Sequence, residues 1–386
     1  MKTNWQIKKL GEVCEIKPPK KEARDRLNDD DIVSFVPMED LGILTKNFIA
    51  TKERPLKEVS GSYTYFSDND VLLAKITPCF ENGKIGIARN LKNGIGFGSS
   101  EYIIFRSRGE VIPDYLYYYL ARDQFRQDGK KAMTGAVGHK RVPKDFIENQ
   151  KIPYPNSLPE QQRIVAILEE AFAAIATAKE KTEKNLQNAR ELFASYLQSV
   201  FANPGDGWEE KTLGGCFKLK SGDNITSKMM IENGKYPVYG GNGIAGMYNK
   251  FNLSGSNVIV GRVGALCGNV RHIEEAIWLT DNGFKITDCK YDFDNAFLAY
   301  LLNLKNLRNY ARQAAQPVIS NSSLEEVLLQ FPKSLKDQKS IVTKLDALSA
   351  ETKKLEAIYR QKLADLDELK KSVLQKAFTG QLTMEN

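Results

Sequence analysis

His139-Lys140-Arg141 places three hydrogen-bond donors on a glycine-rich loop, residues 133–142. An arginine fork there can meet both acceptors on a guanine edge. Lys75 and Lys84 flank a turn-like stretch that begins Thr77-Pro78 and ends Asn82-Gly83, with Thr77 as a further hydroxyl. Residues 236–243 form a second glycine-rich loop, which offers the aromatic Tyr239, the small Gly241 and the amide of Asn242. Arg262, Gln316, Ser320 and Asn321 complete the set. Each residue alone fits a solvated turn or a helix cap equally well. As a set on matching loops they point to DNA, where such donors meet phosphates and base edges.

The residue types that would carry catalysis are not arranged to do so. There is no GxxxxGK[ST] phosphate loop, no HExxH and no Asn-Pro-Pro-Tyr. Residues 94–98 are glycine-rich but lack the GxGxxG spacing, and read as a turn before a strand. Pro113-Asp114 followed by Asp128-Gly129-Lys130 superficially fits a PD…DxK nuclease pattern. Such carboxylates must converge on a metal from a sheet, whereas the residues between these read as helix. The two histidines and five scattered cysteines, never spaced CxxC, give no metal-ligand pattern. No catalytic residue, cofactor or metal is therefore expected. The unpaired cysteine pattern, the lack of a signal peptide in MKTNWQIKKL and the lack of a spanning apolar stretch lead to the expectation of a cytoplasmic protein.

Two long helices must position these loops. Residues 158–201 hold no Gly, and their only Pro is Pro159 at the first turn, where proline suits a helix. Ile164, Leu168, Ala171, Ile175, Ala178, Thr182, Asn185, Ala189, Leu192 and Tyr196 repeat at alternating steps of four and three, a heptad seam. About 43 helical residues extend roughly 65 Å, too long to stand without a partner helix. Adding 177 to each number gives that partner, residues 335–378, with Gln161 matched by Gln338 and Phe201 by Phe378. The preceding segments repeat too. Trp5 to Gly11 matches Trp208 to Gly214, the strand-like 70–76 matches 257–263, and 115–120 matches 297–302. Residues 314–321 take the place of the 134–142 loop, and the loops differ most between the copies. Diverged loops on a shared scaffold suit two unlike specificities.

Packed beside each other, the helices are expected to run antiparallel. Seam pairs summing to 537 would set Leu168 by Leu369, Asn185 by Thr352 and Ile175 by Lys362. A single helix is expected from Asp114 to Arg126, and a loop over residues 17–31. The net charge of +7 is concentrated in residues 1–157, with 26 basic and 21 acidic side chains, which permits nucleic-acid binding without demanding it.

The whole chain resembles the DNA-specificity (S) subunits of type I restriction–modification enzymes. The segments that carry this are LPEQQRIVAIL at 158–168, LKDQKSIVTKL at 335–345, the C-terminal KSVLQKAFTGQLT, and the loops TGAVGHKRV, YPVYGGNG and IVGRVGALCG. The second copy departs from the first, with Lys336-Asp337-Gln338-Lys339 where the first has Pro159-Glu160-Gln161-Gln162. The resemblance implies an α+β fold with two similar target-recognition domains, residues 1–157 and 204–334. They are separated by long helices at 158–203 and 335–386 that form an antiparallel coiled coil with internal pseudo-two-fold symmetry. It implies that each domain reads half of a split DNA site, that the helical rod sets the spacer, and that the subunit itself catalyses nothing. Implied partners are double-stranded DNA, two methyltransferase (modification) subunits and ATP-dependent restriction subunits. A stand-alone DNA-binding regulator and a non-catalytic coiled-coil structural protein stay open as other readings.

Overall fold

The structure, a computed structural model, describes residues 4–136, 138–312 and 316–382. Val137, Ala314 and Ala315 of the two diverged loops lie outside the described residues. The chain divides into two compact units, Met1–Thr182 with Lys362–Asn386, and Glu183–Gln361. Each mixes helix and sheet.

In the first unit the strand Trp5–Lys9 pairs antiparallel with Lys151–Pro155. A four-stranded sheet follows in the order Cys14–Ile16, Tyr102–Ser107, Val71–Ala74, Ile85–Ile87. The second unit repeats both features. Trp208–Thr212 pairs with Leu328–Pro332, and the sheet runs Lys218–Ser221, Gly283–Thr287, Asn257–Gly261, Val270–Ile273. Among the inner strands Val71–Ala74 is wholly apolar and buried, and Asn257–Gly261 is apolar and buried after its first residue. Pro113–Leu120 packs in the first core and Asn295–Leu304 in the second. The units differ in their second sheets. The first unit has four strands, Lys52–Pro55, Ile32–Val36, Ile95–Gly98 and Thr64–Ser67, and the second has three, Gly243–Tyr248, Tyr236–Gly240 and Trp278–Leu279.

Two local expectations are corrected. The helix expected over 114–126 is two helices, Pro113–Leu120 and Asp123–Ala132. Arg122 breaks them by taking an extended conformation (ψ 142°), and its guanidinium lies over the Tyr119 ring at 3.9 Å. The first of these helices carries Asp114 and the second Asp128-Gly129-Lys130, so the nuclease-like carboxylates stand on helices and not on a sheet. The segment 17–31 is not all loop, because it folds a short helix, Lys21–Arg26, whose Ala23 is fully buried.

Both long helices form, as Leu158–Ala202 and Leu335–Ala377. Each docks through one buried glutamine. Gln161 accepts from the Ile112 N–H at 2.9 Å and donates to the carbonyls of Glu110 and Pro155 at 2.8 and 3.0 Å. Gln338 accepts from the Asp294 N–H at 2.8 Å and donates to those of Asp292 and Pro332 at 3.1 and 2.9 Å. Leucine could not do this, since a buried carbonyl or N–H without a partner is costly.

Within the first unit the helices run antiparallel. Phe172 lies 5.0 Å from the Lys370 ammonium, and Lys179 pairs with Asp367, so the partner number falls as the first rises. The second unit has its own cross-helix pair, Arg190–Glu356 at 3.2 Å. Those ion pairs sit at equivalent places in the repeat with the charges exchanged, since Lys179 matches Glu356 and Arg190 matches Asp367. The expected register is corrected. These contacts join residues whose numbers sum to 542 and 546, about one heptad from 537. The seam is also displaced by one residue along its second row. Asn185 and Leu192 are exposed while Leu186 and Phe193 are half-buried, and Lys362 and Leu369 are exposed as well. Larger apolar side chains one residue later outcompete Asn185 for the interface. The buried polar residues of the seam are Thr182 and Thr352, whose hydroxyls donate back to Ala178 and Leu348 carbonyls.

Candidate nucleic-acid interface

Lys75 directly follows the inner strand Val71–Ala74, and the 133–142 loop is latched onto it. The Val142 N–H donates to the Lys75 carbonyl at 2.9 Å and the Thr77 N–H to that of Lys140 at 2.9 Å. The Lys75 N–H donates to the carbonyl of Glu101 at 2.9 Å, and its ammonium donates to that of Ser100 at 2.9 Å. Thr134 and Arg141 exchange backbone bonds at 3.0 and 2.8 Å across the neck of the loop. Gly135 and Gly138 turn it with φ of 119° and 82°, conformations that side chains disfavour.

The Arg141 guanidinium is held by the Glu101 carboxylate through Nε at 2.9 Å and a terminal nitrogen at 2.8 Å, and it also donates to the His139 carbonyl. Arg141 holds the Glu101 carboxyl below the usual range, against some desolvation. Burial pushes the Lys75 ammonium down, and Glu101 acts in the opposite direction. His139 and Lys140 are exposed, and their side chains bond to no described residue.

The second unit builds the same latch. The Ile319 N–H donates to the Arg262 carbonyl at 2.9 Å and the Gly264 N–H to that of Pro317 at 3.1 Å. The Arg262 N–H donates to Asn282 at 2.9 Å, and its guanidinium to the Asp281 carbonyl at 3.2 Å. Val263 and Arg312 both bridge to Val318, as Ile76 and Thr134 bridge to Arg141. The match is thus residue by residue: Lys75 with Arg262, Lys140 with Pro317, Arg141 with Val318, and Glu101 with Asn282. Gln316 is exposed at the place of His139.

The other expected site residues have structural partners. Lys84 donates to the Met38 carbonyl at 2.6 Å, and the Thr77 hydroxyl donates to Glu81 at 3.2 Å. Tyr239 is a core residue, packed with Ile259, Ile273, Ile277 and Leu279. Gly241 is required by packing, because a Cβ there would stand 2.0 Å from the Val263 carbonyl oxygen. Asn242 accepts from the Leu266 N–H at 2.9 Å. Ser320 caps Asn321–Leu324, and Asn321 donates to the Leu219 carbonyl at 2.7 Å. Arg262 lies 5.5 Å from the Phe284 ring centroid, with its buried Nε unpartnered among the described residues. The sequence alone does not single out Glu101 and Asn282. Each stands just before or within a strand turn, and only the paired latches reveal their equivalence.

A family model described as the type I restriction modification DNA specificity domain matches residues 2–187 and again 205–363. The chain belongs to this family. It is 34% identical over 200 residues to the Escherichia coli EcoAI specificity subunit, covering 51% of this chain and 33% of that subunit. It is 30% identical over 234 residues to the E. coli EcoprrI specificity subunit, covering 57% and 58%. The chain thus spans about a third of the length of the first of these relatives. A solved structure from work on assembly and conformational transition of the type I R-M system superposes with TM-score 0.78 at 19% identity, over 98% of both chains. The HsdS subunit from Thermoanaerobacter tengcongensis superposes with TM-score 0.71 at 19% identity, over 99% of this chain and 98% of that one. At these identities the structural likeness speaks for the fold. No helix among the described residues is long and apolar enough to cross a membrane.

Proposed function

We propose that this chain is the DNA-specificity subunit of a type I restriction–modification complex. Segments 1–157 and 204–334 act as target-recognition domains, each reading one half of a split, asymmetric site. The long helices at 158–203 and 335–386 set the gap and dock two modification subunits. Methyl transfer and ATP-driven cleavage belong to partner subunits, and this chain contributes recognition without a catalytic residue or cofactor. One observation carries the reading: the same backbone latch holds a loop in each unit, with unlike side chains in equivalent places. A shared scaffold with exchanged contact residues is what two different half-sites require.

Within that reading His139, Lys140, Arg141 and Gln316 are the solvent-facing contacts, with Lys75 and Arg262 behind them. Lys84, Tyr239, Gly241, Asn242, Ser320 and Asn321 support the loops.

The test is co-expression with a modification subunit, followed by methylation of duplexes altered in one half-site at a time. Copurification and methylation that depends on both halves support the reading. Tight binding by the chain without such a partner points to a regulator, and absence of salt-dependent DNA binding points to a structural protein. In the same assay Lys140→Ala with Arg141→Ala is expected to weaken use of one half-site by about tenfold or more, leaving the other intact. Equal loss at both halves rejects a role confined to the first domain.

A further inference from the structure

We propose that Glu101 and Asn282, which occupy the same place in the two latches, are specificity-determining residues: Glu101 aims Arg141 at the guanine of a G·C pair, and Asn282 reads an adenine. This rests on the recognition role proposed above and adds which residues discriminate and for which bases.

The equivalence comes from the backbone. The Glu101 carbonyl accepts from the Lys75 N–H, and the Asn282 carbonyl accepts from the Arg262 N–H, each at 2.9 Å. Across from them stand Arg141 and Val318, which make the matching bridges. The two positions therefore differ together: arginine with glutamate in the first unit, valine with asparagine in the second. Each combination is neutral. A glutamate left beside Val318 would face phosphates as an uncompensated charge, so losing the arginine goes with losing the carboxylate.

In the first unit the fork is already aimed. An arginine has five N–H donors in one plane. Three are committed, two to Glu101 and one to the His139 carbonyl. The plane is thereby fixed and two donors stay free, the number needed to meet guanine O6 and N7. In the second unit valine offers no donor. Asn282 is exposed, its side chain bonds to no described residue, and an amide of that kind pairs bidentately with adenine N6 and N7.

An ion pair that merely closes a loop predicts something different. The side chains of Arg141 and Glu101 are 47% and 22% exposed, so as a structural tie the pair would contribute little. Its removal would then weaken binding to the whole half-site uniformly.

The experiment uses the full chain with its modification subunit and duplexes in which every base pair of the selected site is replaced in turn. Arg141→Lys keeps the charge and loses the fork, and Glu101→Gln keeps the shape and loses the charge. Both are expected to lose about tenfold or more discrimination at one and the same G·C pair of one half-site. Asn282→Ala is expected to lose it at an A·T pair of the other half-site. Asn282→Glu with Val318→Arg is expected to move that preference toward G·C. Uniform weakening across a half-site, or loss at different pairs for Arg141→Lys and Glu101→Gln, overturns the proposal while leaving the recognition role in place. A wild-type complex that selects no pair of half-sites overturns both.

Discussion

Gln161→Ala is expected to destabilise the first unit by about 3 kcal/mol, since each buried polar group left without a partner costs about 1–3 kcal/mol. Three groups lose their partner at once: the Ile112 N–H and the carbonyls of Glu110 and Pro155. Gln161 is fully buried, so water does not replace the amide without rearrangement. Gln338→Ala is expected to do the same to the second unit, through the Asp294 N–H and the carbonyls of Asp292 and Pro332. Gln162, the next residue, is exposed, and Gln162→Ala should change stability by no more than about 0.5 kcal/mol. Denaturant midpoints of the three variants check this. Equal midpoints for Gln161→Ala and Gln162→Ala would show that the helix docks by its apolar contacts alone.

Shortening the two long helices is expected to change the gap between half-sites and not the half-sites themselves. Deleting one heptad from each, at equivalent positions of the repeat, preserves the phase of the seam and removes about 10 Å of helix. At about 34 Å per 10 base pairs that is a preferred gap shorter by roughly three base pairs. Methylation rates on a series of duplexes differing only in gap length read the outcome. A folded deletion variant that keeps the original preference contradicts a ruler made of helix.

The duplication and both long helices were legible because their signals are repetitive: a heptad seam, and a match at a constant offset that includes residues off the seam. Gln161 and Gln338 could be paired from that offset, although their three-way hydrogen bonding could not. The register is not fixed by the sequence because the seam has two candidate second rows. Asn185 and Leu192 continue the row through Ala178, whereas the structure turns Leu186 and Phe193 inward. Steps of three and four fit both rows, and only packing distinguishes them. The break at Arg122 was missed because nothing in residues 113–132 is a strong helix breaker, Gly129 being accommodated against Phe80. In the candidate site, donors on loops were visible, but their commitments were not. Tyr239 looked like a loop aromatic and is core, Gly241 is a packing requirement, and Arg141 is already paired with a residue 40 positions away.

If two unlike domains read two half-sites across a gap, selection of DNA from a random-sequence pool by the assembled complex will show it. Two short, unlike motifs at a constant separation are expected, with the bases between them unconstrained. Exchanging residues 204–334 for those of another family member is expected to change one motif and leave the other. A single contiguous motif, or two motifs that change together, would contradict a reading by two separate domains.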